Sequence, residues 1–418
     1  MSLLLTDGTL VTQDAERRVV QGNLLVEEDR IREVGETSNS GDRSLDAAGC
    51  LVIPGLVDGY TRSAHVLLGP PQDQRWEDME KATTDLESSL TKRDLEVAAA
   101  LAVTNMLASG TTCFLDLFTW EEEVGRAVTQ GGIRALLAWA VETEEDLPLA
   151  RRFLHKMGGR TRIAPLVGMT GLTNPELTTA AAGLAKEKGI RWCLPLAERR
   201  SEVYRFQREW GMRPVEWLER EGFLSPALLV FHGVWLTLNE IRALARNGVP
   251  VIHCPESNQM TGAGGPMALP EMLREGVVVG LGTNSPFLGG SSGVRSVMRT
   301  SGSVHRGTRW DPTILPAQTL VDLATRGGAR GLGVGTGTLR PGDLADFVVL
   351  EPGTASPVPA EESLSLLAYG GPALRVRDVV VDGKVVVEDG TVLGFDAADL
   401  RERVADLRRE LGFASPRN

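Results

Sequence analysis

Apolar runs that end abruptly in polar residues set the pattern of this chain. Val249–Ile252 runs into His253, and Val277–Gly282 runs into Thr283 and Asn284. Between them, Pro270–Gly276 has the spacing of a short helix closed by glycine. Strand, helix, strand is the repeating unit of a parallel sheet. The unit recurs. Leu90–Leu107 predicts an amphipathic helix stopped by Ser109-Gly110, before a strand Thr111–Asp116; Ile133–Val141 predicts another strand. Pro175–Lys188 predicts a helix closing at Gly189, before a strand Ile190–Leu196 that leads to Glu198. Leu228–Phe231 leads into His232, Leu238–Asn247 reads as a helix, and Pro316–Thr325 as a helix with Gly327-Gly328 just past its end. Seven or eight such units across residues 54–337 predict a closed α/β barrel rather than an open sheet. In barrels the chemistry sits at the C-terminal ends of the strands, where these polar residues fall.

The two ends of the chain are patterned differently. Ser2–Thr12 predicts a hairpin turning at Asp7-Gly8, followed by a strand pair over Gly22–Ile31 and a strand Leu45–Ile53. Asp346–Leu350 predicts a strand, Val376–Val387 a hairpin turning at Asp382-Gly383, and Gly390–Leu393 a return. Residues 1–53 and 338–395 are therefore expected to build one small β-sandwich from both termini. Residues 396–418 form a C-terminal helix and tail, helical over Asp396–Leu411.

Composition narrows the classes. At 418 residues the chain has room for a barrel plus one added module. A net charge of −11 argues against nucleic acid or anionic membrane as partners. No stretch reaches about 18 apolar residues, and the N-terminus lacks the basic head and apolar run of a signal peptide. A cytoplasmic protein with a small-molecule substrate is expected, and the arginine and alanine bias is compatible with a GC-rich bacterial genome. Cys50, Cys113, Cys193 and Cys254 are widely spaced beside apolar runs, which predicts buried free thiols.

Several motifs then occur in order. They are Pro54-Gly55-Leu56-Val57-Asp58, Ser109-Gly110-Thr111-Thr112, Leu196-Ala197-Glu198, Phe231-His232-Gly233-Val234-Trp235 and His253-Cys254-Pro255-x-Ser257-Asn258. Gly280-Leu281-Gly282-Thr283 and Pro341-Gly342-Asp343-Leu344-Ala345-Asp346 follow. Along nearly its whole length the chain resembles the amidohydrolase superfamily, in its branch of chlorohydrolases and nucleoside and nucleobase deaminases. The resemblance implies a distorted (β/α)8 TIM barrel plus a β-sandwich from both termini, and frequent assembly as homodimers or larger homo-oligomers. It also implies a divalent metal, usually zinc or iron, that lowers the pKa of bound water.

The ligand positions that the resemblance implies are occupied here by Tyr60, Arg62, Pro195, His232 and Asn284. Arginine stays protonated and repels a cation. Proline offers no side-chain donor. The expectation is therefore no cofactor and no metal, with a displaced site on His65, His232 and His253 as the residual alternative. The resemblance assigns proton transfer to Glu198 and His253, and His232 could join them as a third catalytic residue. Arg62, Tyr60, Asn284 and His65 would bind substrate. The favoured reading at this point is metal-independent acid/base chemistry: elimination, isomerisation or cyclisation. The alternatives are a metal-dependent amidohydrolase or deaminase acting on a C–N or C–Cl bond, and a catalytically silent small-molecule binder. Blander roles compete for each residue. Arg62 could pair with Asp58 or Asp116, Glu198 could pair at the surface, and His155 and His305 would face solvent. Cys254, by strand alternation, would face the helical layer. The tract Trp76–Leu90 corresponds to a segment that covers the pocket or a partner subunit in relatives, and Gly289–Gly293 could close over a ligand.

Overall fold

Eight parallel strands pair in chain order in one sheet, and the last returns to the first. They are Leu56–Thr61, Thr111–Phe118, Arg134–Val141, Ile163–Met169, Trp192–Leu196, Leu228–His232, Val251–His253 and Val279–Leu281. The computed structural model describes residues 2–37, 40–68, 74–119, 121–157, 163–172, 174–286, 293–353, 362–370 and 374–412. The seam between strands eight and one is closed by the Asn284 N–H donating to the Tyr60 carbonyl at 2.8 Å. A Cβ at Gly282 would lie 3.0 Å from the backbone N and O of Tyr60, so glycine permits that closure. The fold is a distorted (β/α)8 barrel. Its interior is a packed cluster that includes Val57, Leu115, Leu136, Cys193, Phe231 and Ile252. The opposite faces of the strands pack on the helices.

Local signals explain the helices around it. Lys92–Ala108 starts at a capping box in which Thr91 and Asp94 bond reciprocally. Pro175–Lys188 is capped by Asn174 and ends on Gly189 in the left-handed region. The helix expected to stop at Gly327-Gly328 does not stop there. Ala317–Asp322 continues through a π-turn, Leu323–Gly327, into Gly328–Leu332. The two glycines serve close approach instead: a Cβ on Gly327 would meet the Val279 carbonyl at 2.3 Å, and one on Gly328 would meet Val57 at 2.9 Å. A sequence gives the same signal for both uses.

The chain ends share a nine-stranded sheet. Leu51–Pro54, from the N-terminal part, pairs antiparallel with Phe347–Pro352. The expected hairpin at Asp7-Gly8 is instead one strand, Ser2–Val11, with a register shift between Leu5 and Gly8. A bulge uses the same residues as a turn. The Asp382-Gly383 hairpin does form, between Leu374–Val381 and Lys384–Glu388, with both turn residues at positive φ. Arg134, at the start of the third barrel strand, donates to buried Asp346 at 2.9 Å and also to Asp382, so a charged tie joins sheet to barrel. Ala397–Glu410 is the C-terminal helix. Among the described residues no helix is long and apolar enough to cross a membrane.

Candidate active site

A cleft of about 330 Å³ lies at the C-terminal ends of the barrel strands. Six of the seven residues singled out from sequence line it: Tyr60, Arg62, His65, Glu198, His232 and Asn284. The seventh, His253, does not. A larger, mainly apolar cavity of about 440 Å³ reaches from Asp58 and Thr283 to the helix Lys92–Ala108, and it holds none of the seven.

Three strand ends aim polar side chains by holding non-glycine residues at positive φ: Ala197 at 51°, His232 at 70° and Asn284 at 60°. Such backbone costs about 1–3 kcal/mol each and clusters at functional sites. Glu202 fixes the first of them. Its carboxylate accepts the N–H groups of Ala197 and Glu198 at 3.0 Å, which holds the loop that carries Glu198. Burial pushes the Glu202 carboxyl up to about 7, against those hydrogen bonds. Glu198 projects toward His232, with a carboxylate oxygen 3.7 Å from Nε2. His232 Nδ1 bonds Asn258 Oδ1 at 2.9 Å, which leaves Nε2 directed at Glu198. The Tyr60 ring stacks on Phe231 at 3.9 Å and meets His232 edge-on. Burial raises its hydroxyl to about 12, so it stays protonated. Asn284 donates to Ser257 Oγ at 2.6 Å.

The helix Trp76–Ser89 covers one side of the cleft. Its Glu87 accepts from Arg62 at 3.0 Å and from His65 Nε2 at 2.8 Å. Arg62 pairs there, and not with Asp58 or Asp116. Asp58 is occupied by Thr283, and Asp116 by Ser63. Burial would raise the Glu87 carboxyl, but the His65 hydrogen bond and the Arg62 charge outweigh it and hold it at about 2. Burial lowers His65 and keeps it neutral, with Nδ1 on Ser285 Oγ at 3.0 Å.

Other expectations are corrected. The Cys254 side chain belongs to the barrel interior and not to the helical layer, and burial raises its thiol, so it is no nucleophile. His253, one residue earlier, faces outward to the helices, where its Nε2 lies 3.4 Å from that of His305. His305 is buried rather than solvent-facing. Burial, then the neighbouring imidazoles, lowers His253, and burial takes His305 down to about 4. Of the Gly289–Gly293 loop only Gly293 lies within the described residues, as the start of a helix. Glu87, Glu202 and Asn258 were not predicted as site residues. For Asn258 the signal existed, since it closes the His-Cys-Pro-x-Ser-Asn motif.

A barrel-mouth cleft lined by a carboxylate–imidazole pair has the layout of a TIM-barrel enzyme site. The chain belongs to the amidohydrolase family, whose sequence profile matches residues 51–386. It is 34% identical, over 97% of both chains, to a 5-methylthioadenosine/S-adenosylhomocysteine deaminase of Nitratidesulfovibrio vulgaris. It is 30% identical, over 98% of both, to a 5'-deoxyadenosine deaminase of Methanosarcina mazei. The fold is shared with a zinc-bound adenosine deaminase of Xanthomonas campestris (TM-score 0.93, 23% identity, 99% of both chains). It is also shared with a zinc-complexed atrazine chlorohydrolase of Arthrobacter aurescens (TM-score 0.88, 22% identity, 97% and 100% of the chains). These relatives overturn the expectation of elimination, isomerisation or cyclisation without a metal. Matches of such identity over nearly the whole length carry the name deaminase, and the reading that stands is the amidohydrolase or deaminase alternative.

Both neighbouring structures hold zinc, and the corresponding positions of this cleft carry different groups. Tyr60 Oη accepts from Arg62 Nε at 3.3 Å, Asn284 Nδ2 is engaged by Ser257, and Pro195 has no donor. Among the described residues no group of three or more His, Cys, Asp and Glu could hold a metal ion. The side chains as arranged do not fit a divalent ion.

Proposed function

We propose that the chain is a hydrolytic deaminase acting on the exocyclic C–N bond of a purine nucleoside or similar nitrogen-rich small molecule in the barrel-mouth cleft. The observation that carries this is 30–34% identity to named deaminases over nearly the whole chain. The position of Glu198 and His232 at the strand ends supports it. In the proposed reaction water adds to the ring carbon bearing the amine. One water proton goes to the adjacent ring nitrogen and the other to the leaving amine, the C–N bond breaks, and a carbonyl and ammonia result. Glu198 would carry those protons from water to nitrogen. His232, aligned by Asn258, would hold the adding oxygen. Arg62, Tyr60, Asn284 and His65 would bind the substrate, and Glu202 would position Glu198. His253 would act through the backbone, since its carbonyl accepts the Gly282 N–H at 2.9 Å and registers strand eight on strand seven.

The test is ammonia release and the ultraviolet change of adenine-to-hypoxanthine conversion, using 5'-methylthioadenosine, S-adenosylhomocysteine, 5'-deoxyadenosine and adenosine. Turnover of at least one is expected, and Glu198→Gln should lower kcat by about a hundredfold or more. No ammonia from any of them, with protein as purified and after incubation with zinc, iron or manganese, overturns the proposal.

A further inference from the structure

The larger cavity, about 440 Å³, has no part in the reaction proposed above. Its size falls in the range of about 300–1,000 Å³ that holds small molecules. On the barrel side it ends at Asp58 and Thr283, which satisfy each other. The Thr283 N–H and hydroxyl donate to the two Asp58 carboxylate oxygens at 3.0 and 2.7 Å. Apolar walls are formed by Val66 and Leu68, and by Leu101, Ala102 and Met106 of the helix Lys92–Ala108. One further lining residue is of another kind. Arg408 stands on the C-terminal helix, which packs against Lys92–Ala108. Its guanidinium makes no hydrogen bond or ion pair among the described residues, and its Nε is buried without a partner. One turn away along the chain are Val404, Ala405 and Leu411, none of them acidic. Arg403 and Arg409 of the same helix do pair, with Asp399 and Asp406. Arginine cannot shed its charge, so a permanent cation borders an apolar space and is left unpaired.

We propose that this cavity is a second binding site, for an amphipathic monocarboxylate whose head pairs with Arg408 and whose hydrocarbon body lies along the helix Lys92–Ala108. The guanidinium fork takes a carboxylate through two parallel hydrogen bonds. Each methylene moved from water onto the apolar wall strengthens binding about fourfold. The barrel end fixes the direction. The Thr283 donors are spent on Asp58, so a second carboxylate finds no partner there and the chain points inward. The inference is independent of the reaction in the cleft.

The experiment is calorimetric titration of the full-length protein with octanoate, hexanoate, acetate and 1-octanol. Octanoate is expected to bind at least about tenfold tighter than 1-octanol, which has the chain without the charge. It should also bind about tenfold or more tighter than hexanoate, which is two methylenes shorter, and acetate should give no heat of binding. Arg408→Gln should abolish the preference for octanoate over 1-octanol. Ala102→Leu, which fills part of the apolar space and leaves the guanidinium in place, should weaken octanoate about tenfold. Arg408 is partly exposed, so its replacement leaves the fold intact and that variant decides the matter by itself. No binding of octanoate, equal affinity for 1-octanol, or octanoate binding undiminished in Arg408→Gln overturns the inference. The last result would place the carboxylate elsewhere, as at Arg62 in the cleft.

Discussion

Removing the Glu87 carboxylate should undock the covering helix without unfolding the barrel. At 3.0 Å the Arg62–Glu87 attraction is about 5 kcal/mol at an effective dielectric of 20. Desolvation of both partners offsets part of it, and their side chains are only 20% and 26% exposed. Glu87→Ala also strands the His65 N–H. A buried pair broken on one side costs about 3–5 kcal/mol, so about 3 kcal/mol is a fair figure for this partly wetted one. The helix Trp76–Ser89 buries only Met79 and Leu86, worth about 1.5–3 kcal/mol each. The loss is therefore a large share of what docks it, and the opening is local. Hydrogen exchange over residues 76–89 should speed up by about a hundredfold, while exchange in the barrel strands is unchanged. Arg62→Ala/Glu87→Ala should be milder than Glu87→Ala alone, since no buried charge is left unpaired. Lys81→Ala, which breaks an exposed pair with Asp85 on the same helix, should change little. If Glu87→Ala exchanges like Lys81→Ala, or the double variant is no milder, the latch argument is wrong. Glu87 is held at about 2 against an ordinary 4.5, so its contribution is complete above about pH 4.5. Protection of the helix should fall as pH drops from 4.5 toward 2.

Asp58 has the opposite sign. Burial raises its carboxyl to about 7, so between pH 3.8 and 7 the unfolded chain has released a proton that the folded chain retains. Thermal stability should fall as pH rises through that window, and the fall should be smaller in Asp58→Asn; an unchanged slope refutes this. All four cysteines are buried and free. A thiol reagent should label none of them at neutral pH until denaturant is added, and rapid labelling of Cys254 would contradict its placement inside the barrel. Gly282→Ala would force a methyl to within 2.8 Å of Ile252 and against the Tyr60 backbone at the barrel seam. A loss of about 1–3 kcal/mol is expected in denaturant titration, and a neutral result would mean that the seam is looser than described.

What could be read from sequence divides along a physical line. Glycine stops and apolar runs act over a few residues, so the helix end at Gly189 and the parallel strands were legible. Glycines 327 and 328 were misread because their constraint comes from Val279 and Val57, far away in the chain. Cys254 and His253 were placed on the wrong faces of strand seven for a related reason. Alternation fixes only that neighbours face opposite ways. Which one faces inward depends on Ile252 entering the interior, where its side chain approaches within 3.0 Å of a Cβ built at Gly59 or Gly280.

The site shows the same division at closer range. His232, Glu198 and Asn284 announce themselves by sitting at strand ends, but their directions are set by partners that no local pattern names. Glu202 reaches back to the amides of residues 197 and 198, Asn258 takes His232 Nδ1, and Glu87 arrives from a helix 25 residues away to hold Arg62. Each partner serves a group whose own geometry is unfavourable alone: left-handed backbone at Ala197 and His232, or a guanidinium below the protein surface. Strain of about 1–3 kcal/mol per residue persists only where surrounding contacts over-determine it. Glu202→Gln, which keeps one acceptor and adds a donor, should therefore leave the fold intact and let the Glu198 loop relax. If Glu198 carries the protons, kcat should fall more than KM rises, and a rise in KM alone would place Glu202 in binding instead.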